Sequence, residues 1–346
     1  MAVDWKRRAR IADSILETAG VTPLVRLHRV PDSADAEILV KLEYYGPSGS
    51  VKDRILPRMV AAAEERGDLR PGMTIIEATT GNTGIATAMT AAAKGYPAVI
   101  VMPEGMSDER KKAIQAYGAT LVLTPGAESD VDLVIDKVRE LIAESPERFW
   151  EVSQFTNTDN IEAHYQTTGP EVWEQTGGRI QAFVDAQGTG GTLTGVARYL
   201  REQTEAVQVY AVEPEECPIL AGGGWGPHRI EGIGDGFIPD NLHLDLLDGV
   251  IEISSDEAVA MARRLSREEG IFCGISSGCN VAAAIKLARA RPDLRTIVTM
   301  VSDNGLRYLS TELCGAEFEL EVPDRDHPTS AADTAKLARH PLTVIR

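Results

Sequence analysis

Short apolar runs alternate along this sequence with longer stretches in which apolar residues recur every three or four positions. The short runs favour buried strands, and the longer periodic stretches favour helices. The predicted strands are Ile38–Leu42, Thr74–Glu77, Ala98–Met102, Thr120–Leu123, Gln181–Ala186, Val209–Glu213, Val250–Ile253 and Thr296–Val301. The predicted helices are Val51–Arg66, Ile85–Ala93, one from Ser107 to near Gly118, Asp132–Glu144, Thr194–Gln203, Asp256–Glu269 (capped by Ser255) and Val281–Ala290. Because strands and helices alternate, the sequence predicts parallel sheets joined by right-handed crossovers.

The chain length predicts more than one domain. At 346 residues the chain exceeds what one hydrophobic core usually organises, so we expect two domains with a site between them. A polar, turn-prone segment at Gln154–Asn160 places the boundary nearby. We predict an N-terminal domain of residues 1–155, a C-terminal domain of residues 156–325 and a tail of residues 326–346. The tail is rich in charged and small residues and is expected either to order against a partner subunit or to be disordered.

Composition and charge narrow the class of partners. Hydrophobic residues make up 43% and charged residues 25% of the chain, as in soluble globular proteins. The formal net charge of −17 repels phosphate backbones and anionic lipid surfaces, which argues against nucleic acid and membranes as partners. The sequence shows no apolar run long enough for a bilayer and no signal-peptide core.

The cysteines predict a reducing environment. Four scattered cysteines without a CxxC pair do not form a disulfide framework, and this fits the cytoplasm. Cys273 and Cys279 lie on either side of a serine loop at Gly274–Gly278. We expect both to be small buried thiols rather than a redox pair.

Glycine-containing polar loops follow several predicted strands, at the strand ends where open α/β sheets bind ligands. Thr79–Gly84 separates a strand from a helix start, and such a junction directs free N–H groups at an anion. Gly188–Thr192 stands in the corresponding place after a later strand. Its consecutive glycines allow a loop to fold its N–H groups around a phosphate.

The Gly188–Thr192 loop has three possible interpretations, which are a phosphate cradle, a dinucleotide site and a structural turn. A nucleoside-triphosphate P-loop is excluded because no Gly-Lys-Ser/Thr follows. Gly188 and Gly190 match the first two glycines of the dinucleotide fingerprint, and Glu213 ends the next strand. Leu193, however, stands where that fingerprint needs a small residue.

Lys52 lies in the first turn of a predicted helix, between Ser50 and Asp53, which form an N-cap pattern. Most such lysines are solvated, and the helix dipole disfavours a cation there.

The six histidines show no metal-ligand spacing, so we expect no metal site and place them at surface or capping positions. There is no G-x-S-x-G nucleophile elbow. One lysine, an Asn/Thr loop, a Gly/Thr loop and a Ser loop together suit a carbonyl-bearing phosphorylated cofactor.

In their residues and in their order along the chain, these motifs resemble those of the cysteine synthases. These are fold-type II enzymes that depend on pyridoxal 5′-phosphate, and cystathionine β-synthase is a near relative. The matching segments are Thr22–Leu27, Ser50–Arg54, Thr80–Gly84, Gly188–Thr192, Glu231–Pro239, Gly274–Gly278 and Tyr308–Thr311. The resemblance implies an α/β fold of two three-layer α/β/α domains with mainly parallel twisted sheets, like the tryptophan synthase β subunit. It also implies that residues 24–45 pack on the C-terminal domain. Gly46, Thr80 and Thr158 depart from the commonest family pattern.

The resemblance implies a role for each site residue. Lys52 would hold the cofactor as an imine and then act as the base at the substrate Cα. Asn82 would bind the ring oxygen of the cofactor, and Ser276 would face its pyridine nitrogen. The cofactor phosphate would be bound by Gly188, Thr189, Gly190, Gly191 and Thr192. The substrate carboxylate would be bound by Thr79, Thr80, Gly81, Thr83 and Gln154.

The implied reaction is β-replacement by a homodimeric enzyme that makes L-cysteine from O-acetyl-L-serine and sulfide through an α-aminoacrylate intermediate. The neutral hydroxyl of Ser276 leaves the ring a weak electron sink, which suits loss of a β-leaving group. O-acetylserine is preferred over O-phosphoserine because Glu231 would repel a phosphoryl group, although Arg229 keeps that donor open. The alternatives are an O-phosphoserine sulfhydrylase, a cystathionine β-synthase, a serine/threonine dehydratase-like lyase and a non-catalytic regulatory binding protein with the same fold.

Overall fold

A computed structural model describes residues 2–31, 36–126, 130–315 and 329–345. The strands are β1 Leu24–Arg26, β2 Glu37–Leu42, β3 Thr74–Ala78, β4 Ala98–Pro103, β5 Thr120–Thr124, β6 Phe149–Glu151, β7 Ala182–Ala186, β8 Gln208–Pro214, β9 Gly249–Ile253, β10 Thr296–Val301 and β11 Thr343–Ile345. The α-helices are α1 Ile55–Arg66, α2 Asn82–Lys94, α3 Asp108–Ala116, α4 Val131–Glu144, α5 Asp159–Gln166, α6 Thr168–Gln175, α7 Gly191–Gln203, α8 Ser255–Arg264, α9 Ile275–Ala290 and α10 Ala331–Arg339.

Within these ranges the strands form two sheets. The larger has the order β1-β2-β10-β7-β8-β9-β11, and the smaller has the order β5-β4-β3-β6. Every neighbouring pair is parallel except β1 with β2. Helices pack on both faces of each sheet, with α9 and α7 on opposite faces of the larger one and α2 and α4 on opposite faces of the smaller one. The predicted α/β fold with mainly parallel sheets and helical layers is therefore confirmed.

Strand β2 belongs to the larger sheet although it comes before all strands of the smaller one. It pairs in parallel with β10, with Ile38 opposite Ile297. The chain thus begins in the larger sheet, builds the smaller one and then returns. We propose on this basis that residues 24–45 pack with the C-terminal domain and that the chain divides near residue 155.

The helix that was predicted at Val51–Arg66 is interrupted at its start. Val51–Asp53 forms a 3₁₀ turn, and the α-helix begins only at Ile55. The carboxylate of Asp53 accepts backbone N–H groups of Ser48 at 2.9 Å and Gly49 at 3.0 Å, so it draws the preceding loop over the turn. Lys52 consequently lies in a tight turn ahead of the helix rather than in the first turn of an α-helix.

Three other predicted helix starts differ in the structure. Ser254, not Ser255, caps α8, and α9 begins at Ile275, ahead of the predicted start at Val281. The hydroxyl of Ser107 does not cap α3 but donates to the carbonyl of Arg307 at 2.8 Å. The cap of α8 is local, since Ser254 forms a capping box with Glu257, whereas the hydroxyl of Ser107 is taken by a partner that is distant along the chain.

Over the described residues 329–345 the tail is ordered against its own chain. Helix α10 follows a Ser330 cap, and β11 adds in parallel to β9, with Val344 opposite Val250. Leu337 and Leu342 pack against the core of the larger sheet. The tail therefore covers an edge of its own chain's sheet, as edge strands require.

None of the helices in the described part of the chain has the length and apolar character that a membrane crossing requires.

A buried ion network joins the turn that carries Lys52 to the larger sheet. Arg54 donates to both oxygens of Glu43, which follows β2, and to both oxygens of Glu171 on α6. Lys41, on β2, donates to Glu171 at 2.7 Å and to the carbonyl of Thr22 at 2.6 Å. All four charged side chains are buried, and their charges balance. Burial lowers the pKa of Lys41 to about 8, while the neighbouring carboxylate of Glu171 opposes that shift.

We expect Arg54→Met to lower the free energy of unfolding by about 3–5 kcal/mol, because it leaves two buried carboxylates without their shared cation. Chemical denaturation followed by circular dichroism measures the change. Arg66→Met is the matched control, since Arg66 pairs with Asp68 and Asp159 at the surface and such pairs contribute about 0.2–1 kcal/mol. Equal decreases in the free energy of unfolding of the two variants would contradict the larger stabilisation that we assign to the buried network.

Candidate active site

Three helix N-termini open into one cleft between the two sheets. Helices α2, α7 and α9 begin at Asn82, Gly191 and Ile275, and none of the three has a side-chain cap at its first N–H groups. Free N–H groups and the helix dipole make such ends favourable for anions. The residues predicted for the site that line this cleft are Lys52, Thr79, Thr80, Asn82, Thr83, Gln154, Gly188, Thr189, Gly190, Thr192 and Ser276.

Gly81 and Gly191 are predicted site residues that do not line the cleft, and both occupy positions where a side chain is excluded. A Cβ at Gly81 would lie 2.1 Å from Cδ of Arg110, and one at Gly191 would lie 2.0 Å from Oδ1 of Asn160. Each glycine allows a helix start to approach its neighbour closely. Their contribution to the cleft is therefore through the backbone.

Lys52 projects into the cleft from its tight turn. Burial lowers the pKa of its ammonium group, and the nearby carboxylates of Asp185, Asp235 and Asp303 act in the opposite direction. A lowered pKa favours the neutral amine, which is the form that can act as a nucleophile or a base. The site thus holds one lysine whose surroundings favour reactivity.

The loop before α2 is fixed by side chains of residues that follow strands β3 and β6. The hydroxyl of Thr79 accepts the N–H of Gly81 at 3.0 Å. Thr83 donates to Oε1 of Gln154 at 2.5 Å, and Nε2 of Gln154 donates to the carbonyl of Ala78 at 3.0 Å. The predicted threonines and Gln154 are therefore brought together beside the uncapped start of α2, where a carboxylate fits.

Asn82 is held by residues that the sequence did not single out for the site. Its Nδ2 donates to Asp303 at 2.7 Å, and its Oδ1 accepts from Arg307. Asp303 also accepts the hydroxyl of Tyr308 at 2.8 Å. The position of Asp303 just after strand β10 was the available signal, because polar residues at strand ends gather at the site.

The Gly188–Thr192 loop has the backbone geometry of an anion cradle. Gly190 has φ of 80°, and a Cβ there would lie 2.7 Å from the backbone N of Leu242. A Cβ at Gly188 would lie 2.8 Å from the carbonyl oxygen of Gly232. Thr189 is held by Asn160, whose Nδ2 donates to its hydroxyl at 3.0 Å. A phosphate is the ligand that this loop and the start of α7 fit.

The dinucleotide interpretation does not agree with the structure. The carboxylate of Glu213 accepts the backbone N–H groups of Leu220 at 2.7 Å and Ala221 at 2.9 Å, so it is already occupied. Burial raises its pKa to about 8. Leu193 is buried in the core, where the dinucleotide fingerprint needs a small residue.

His164 and His228 are buried, so the expected surface or capping position is wrong for these two histidines. The ring of His164 lies between two hydroxyls, with Nδ1 at 2.8 Å from Thr168 and Nε2 at 3.2 Å from Thr192 of the Gly188–Thr192 loop. Nε2 of His228 lies 3.0 Å from the carbonyl of Gly234 in the Glu231–Pro239 flap. His164 therefore supports a residue that was predicted to bind phosphate.

Two further acids line the cleft and were not predicted. Asp185, at the end of β7, accepts Nδ2 of Asn280 at 2.8 Å, and burial raises its pKa to about 7. Asp235 comes from the flap, and burial raises its pKa to about 6. Ser276 lies in the first turn of α9, one helical turn before Asn280. Ser276 itself was predicted, but the two carboxyls lacked a motif of their own.

The charged residues around the flap pair differently from the expectation. Arg229 pairs with Asp256 and with Glu312 at 3.0 Å, so its charge is already compensated. Glu231 pairs with Arg110 on α3, so it is not a free negative charge.

Cys273 and Cys279 are buried, as predicted, and burial raises the pKa of both thiols. Within the described ranges no cluster of His, Cys, Asp or Glu is arranged to hold a metal ion.

Fold and cleft together define an α/β protein built around a buried lysine and an anion-binding loop. A family model described as pyridoxal-phosphate dependent enzyme matches residues 15–303. A cysteine synthase of Staphylococcus aureus is 48% identical over 302 residues, covering 87% of this chain and 96% of the relative. The chain belongs to the family of pyridoxal-phosphate-dependent enzymes, and the resemblance drawn from its motifs is confirmed.

Solved structures agree in fold over most of the chain. A cysteine synthase from Entamoeba histolytica has a TM-score of 0.85 and 44% identity, covering 91% of this chain and 94% of the other. An O-ureido-L-serine synthase has a TM-score of 0.83 and 41% identity, covering 90% and 98%. The residues of the cleft fit pyridoxal phosphate, because Lys52 offers an amine to its carbonyl and Gly188–Thr192 forms a cradle for its phosphate.

We expect acid to destabilise this protein partly through His164. Burial and the charges of Arg54 and Lys52 hold the pKa of His164 well below the ordinary value of 6.5. As pH falls through 6.5, the unfolded chain therefore gains a proton that the folded chain does not, and stability decreases by up to about 1.4 kcal/mol per pH unit. His164→Gln should reduce the pH dependence of the free energy of unfolding between pH 7 and 5.

The same substitution at the exposed His340 serves as the control and should leave that pH dependence unchanged. Denaturant titrations at matched ionic strength give both curves. Wild-type and His164→Gln curves of equal slope would show that the buried ring is not the acid-sensitive group.

Proposed function

We propose that this protein makes L-cysteine from O-acetyl-L-serine and sulfide by β-replacement. The observation that carries the proposal is the combination of Lys52, the uncapped start of α2 and the neutral hydroxyl of Ser276 in one cleft. The sequence similarity to the cysteine synthase of Staphylococcus aureus supports it.

The proposed cofactor site would combine residues from both halves of the molecule. Pyridoxal phosphate, when bound, supplies a carbonyl that takes up an amino group and a ring that withdraws electrons from the adjacent carbon. Lys52 would hold the cofactor through its amine, and Asn82 would donate to the ring oxygen. Gly188, Thr189, Gly190, Gly191 and Thr192 would bind the phosphate with the help of the α7 dipole.

The start of α2 would orient the amino-acid substrate. Thr79, Thr80, Gly81, Thr83 and Gln154 would bind the substrate carboxylate, since its charge is favourable at an uncapped helix N-terminus. This contact fixes the Cα–H bond relative to Lys52. Lys52, with its lowered pKa, would then remove the Cα proton as a neutral base.

Ser276 favours loss of a leaving group over other outcomes. A hydroxyl beside the pyridine nitrogen does not carry the negative charge that would keep that nitrogen protonated. With this hydroxyl as its neighbour, bound pyridoxal phosphate would be a weaker electron sink, which suits loss of a β-leaving group such as acetate. Lys52, which would have taken the Cα proton, would return it to Cα once sulfide has replaced the acetoxy group at Cβ.

The donor and the nucleophile can be identified by a spectral titration of the purified holoenzyme. We expect O-acetylserine to change the visible absorbance of the bound cofactor and sulfide to restore it, with cysteine as the product. Serine and O-phosphoserine should act weakly as donors, and homocysteine should act weakly as a nucleophile. A strong response to serine followed by homocysteine would instead indicate a cystathionine β-synthase.

Two lysine variants control this experiment. Lys52→Ala should lose the absorbance of the covalently held cofactor and all turnover, whereas Lys94→Ala, at a surface ion pair with Glu64, should behave as wild type. A wild-type protein that binds no pyridoxal phosphate would overturn the proposed function and favour a non-catalytic role.

We further propose that the protein is a homodimer and that it works in the cytoplasm, where its four free cysteines stay reduced. Large apolar side chains are exposed at Ile11, Tyr45 and Leu309. Ile11 and Tyr45 line one surface depression, and Arg307 donates to the carbonyl of Ser48 in the loop after Tyr45. Exposed apolar surface of this kind marks interfaces between subunits.

We expect Ile11→Glu to shift the protein from dimer towards monomer in light-scattering measurements, because a charge would be buried at the contact. Leu123→Glu, which alters an exposed leucine at the edge of the smaller sheet, is the control and should leave the mass unchanged. A wild-type protein that is monomeric at micromolar concentration would contradict the assignment.

A further inference from the structure

Glu77 is a buried carboxyl group on strand β3 that the proposed reaction does not use. Only 1% of it is exposed, and it stands two residues before Thr79 in the sequence. Its two oxygens accept the backbone N–H of Ser153 at 2.9 Å and, more weakly, that of Gln154 at 3.4 Å. Burial raises the pKa of Glu77 well above its usual value, while these N–H groups and the Gln154 side chain act in the opposite direction. The segment that follows β6 is therefore tied to this carboxyl group.

Ser153 has a backbone conformation that a residue with a side chain does not favour. Its φ is 55°, and among the described residues Val21, with φ of 51°, is the only other non-glycine residue at positive φ. Such a conformation persists where the surroundings impose it. The N–H of Ser153 is held by Glu77, and its carbonyl accepts the N–H groups of Thr156 at 3.0 Å and Asn157 at 2.9 Å. Contacts on both sides of Ser153 thus keep it in the left-handed region.

The turn at Ser153 determines where the side chain of Gln154 lies. Up to Val152 the chain runs beside β3, since the N–H of Val152 donates to a β3 carbonyl at 3.1 Å. Directly after the turn, Gln154 lines the cleft. Its Oε1 accepts the hydroxyl of Thr83, and its Nε2 donates to the carbonyl of Ala78. The left-handed residue therefore separates the end of the sheet from an amide that is oriented at the start of α2.

We propose that Glu77 is a positioning residue for the amino-acid substrate, because it holds Ser153 in the left-handed conformation that places Gln154 beside the substrate carboxylate. This inference rests on the proposed function and concerns the same carboxylate site. Within the described part of the chain, Glu77 is not among the residues that line the cleft. It would therefore act on the substrate only through Gln154.

Glu213 provides a matched control for the loss of a buried carboxylate. It also lies on a buried strand and accepts two backbone N–H groups, those of Leu220 at 2.7 Å and Ala221 at 2.9 Å. Neither of these partners belongs to the proposed carboxylate site. Glu213→Gln and Glu77→Gln each replace one acceptor oxygen by a donor that faces an N–H group, but only the second change reaches Gln154.

The test measures the binding of L-serine and L-serinamide to the holoenzyme through the change in cofactor absorbance. The two ligands share their amino and hydroxymethyl groups, and L-serinamide has a neutral amide in place of the carboxylate. In Glu77→Gln we expect the Kd of L-serine to rise roughly tenfold, the effect of one hydrogen bond to a charged group, and the Kd of L-serinamide to stay unchanged. Glu213→Gln should change neither. Equal increases for both ligands, or the same increase in Glu213→Gln, would overturn the proposal.

A rescue experiment tests whether Glu77 acts through the conformation of Ser153. Glycine adopts positive φ without a steric cost, so adding Ser153→Gly to Glu77→Gln should recover most of the lost affinity for L-serine. Val21→Gly in the same Glu77→Gln background relieves the other left-handed residue and should recover none. A double variant with Ser153→Gly that binds L-serine as weakly as Glu77→Gln would overturn the assigned role of the turn.

Ser153→Val tests the same turn with the buried carboxyl intact, should Glu77→Gln not fold as judged by thermal unfolding. A β-branched residue at positive φ is strained, so the affinity for L-serine should fall while that for L-serinamide is kept. Unchanged L-serine affinity in this variant would overturn the proposal. Because the binding measurement needs no turnover, wild-type protein that does not convert O-acetylserine would overturn the proposed function, whereas unchanged L-serine affinity in an active Glu77→Gln would overturn this inference alone.

Discussion

The position of Lys52 depends on the buried ion network around Arg54. Only one residue separates Lys52 from Arg54, whose guanidinium is held by Glu43 after β2 and by Glu171 on α6. Because the partners belong to the larger sheet and its helices, the turn that carries Lys52 is fixed to the half of the molecule that holds the Gly188–Thr192 loop. The buried ion network thereby fixes the position of the Lys52 amine relative to the Gly188–Thr192 loop, although its charged groups do not line the cleft.

Contacts across the cleft complement this anchor. Asn82 on α2 donates to Asp303 beyond β10, Ser107 donates to the backbone of Arg307, and Arg110 pairs with Glu231. Each joins an element of the smaller-sheet half to one of the larger-sheet half, close to the Thr79–Gly84 loop. The two halves therefore meet through polar, directional contacts, which can be exchanged for contacts with a ligand more readily than a packed apolar interface.

The sequence predicted those parts of the fold and cleft that depend on local pattern. Strand β10 and the loops at Thr79–Gly84 and Gly188–Thr192 follow from apolar runs and glycine chemistry, which act within a few residues. The acids Asp185 and Asp235, the buried His164 and the ion pair of Arg110 were missed because their roles come from neighbours far along the chain. The tail was missed for the same reason, since β11 is too short to be recognised without the edge of β9 beside it.

The pairing of β2 with β10 has a consequence for how the molecule is made. During synthesis β2 leaves the ribosome early, but its parallel neighbour β10 follows only after almost the whole chain, so this contact has a large sequence separation and closes late. The smaller sheet, in contrast, is formed from one continuous stretch of sequence and can fold first. A nascent or truncated chain that lacks β10 would then present a well-formed smaller sheet with Lys52 not yet held in its working position.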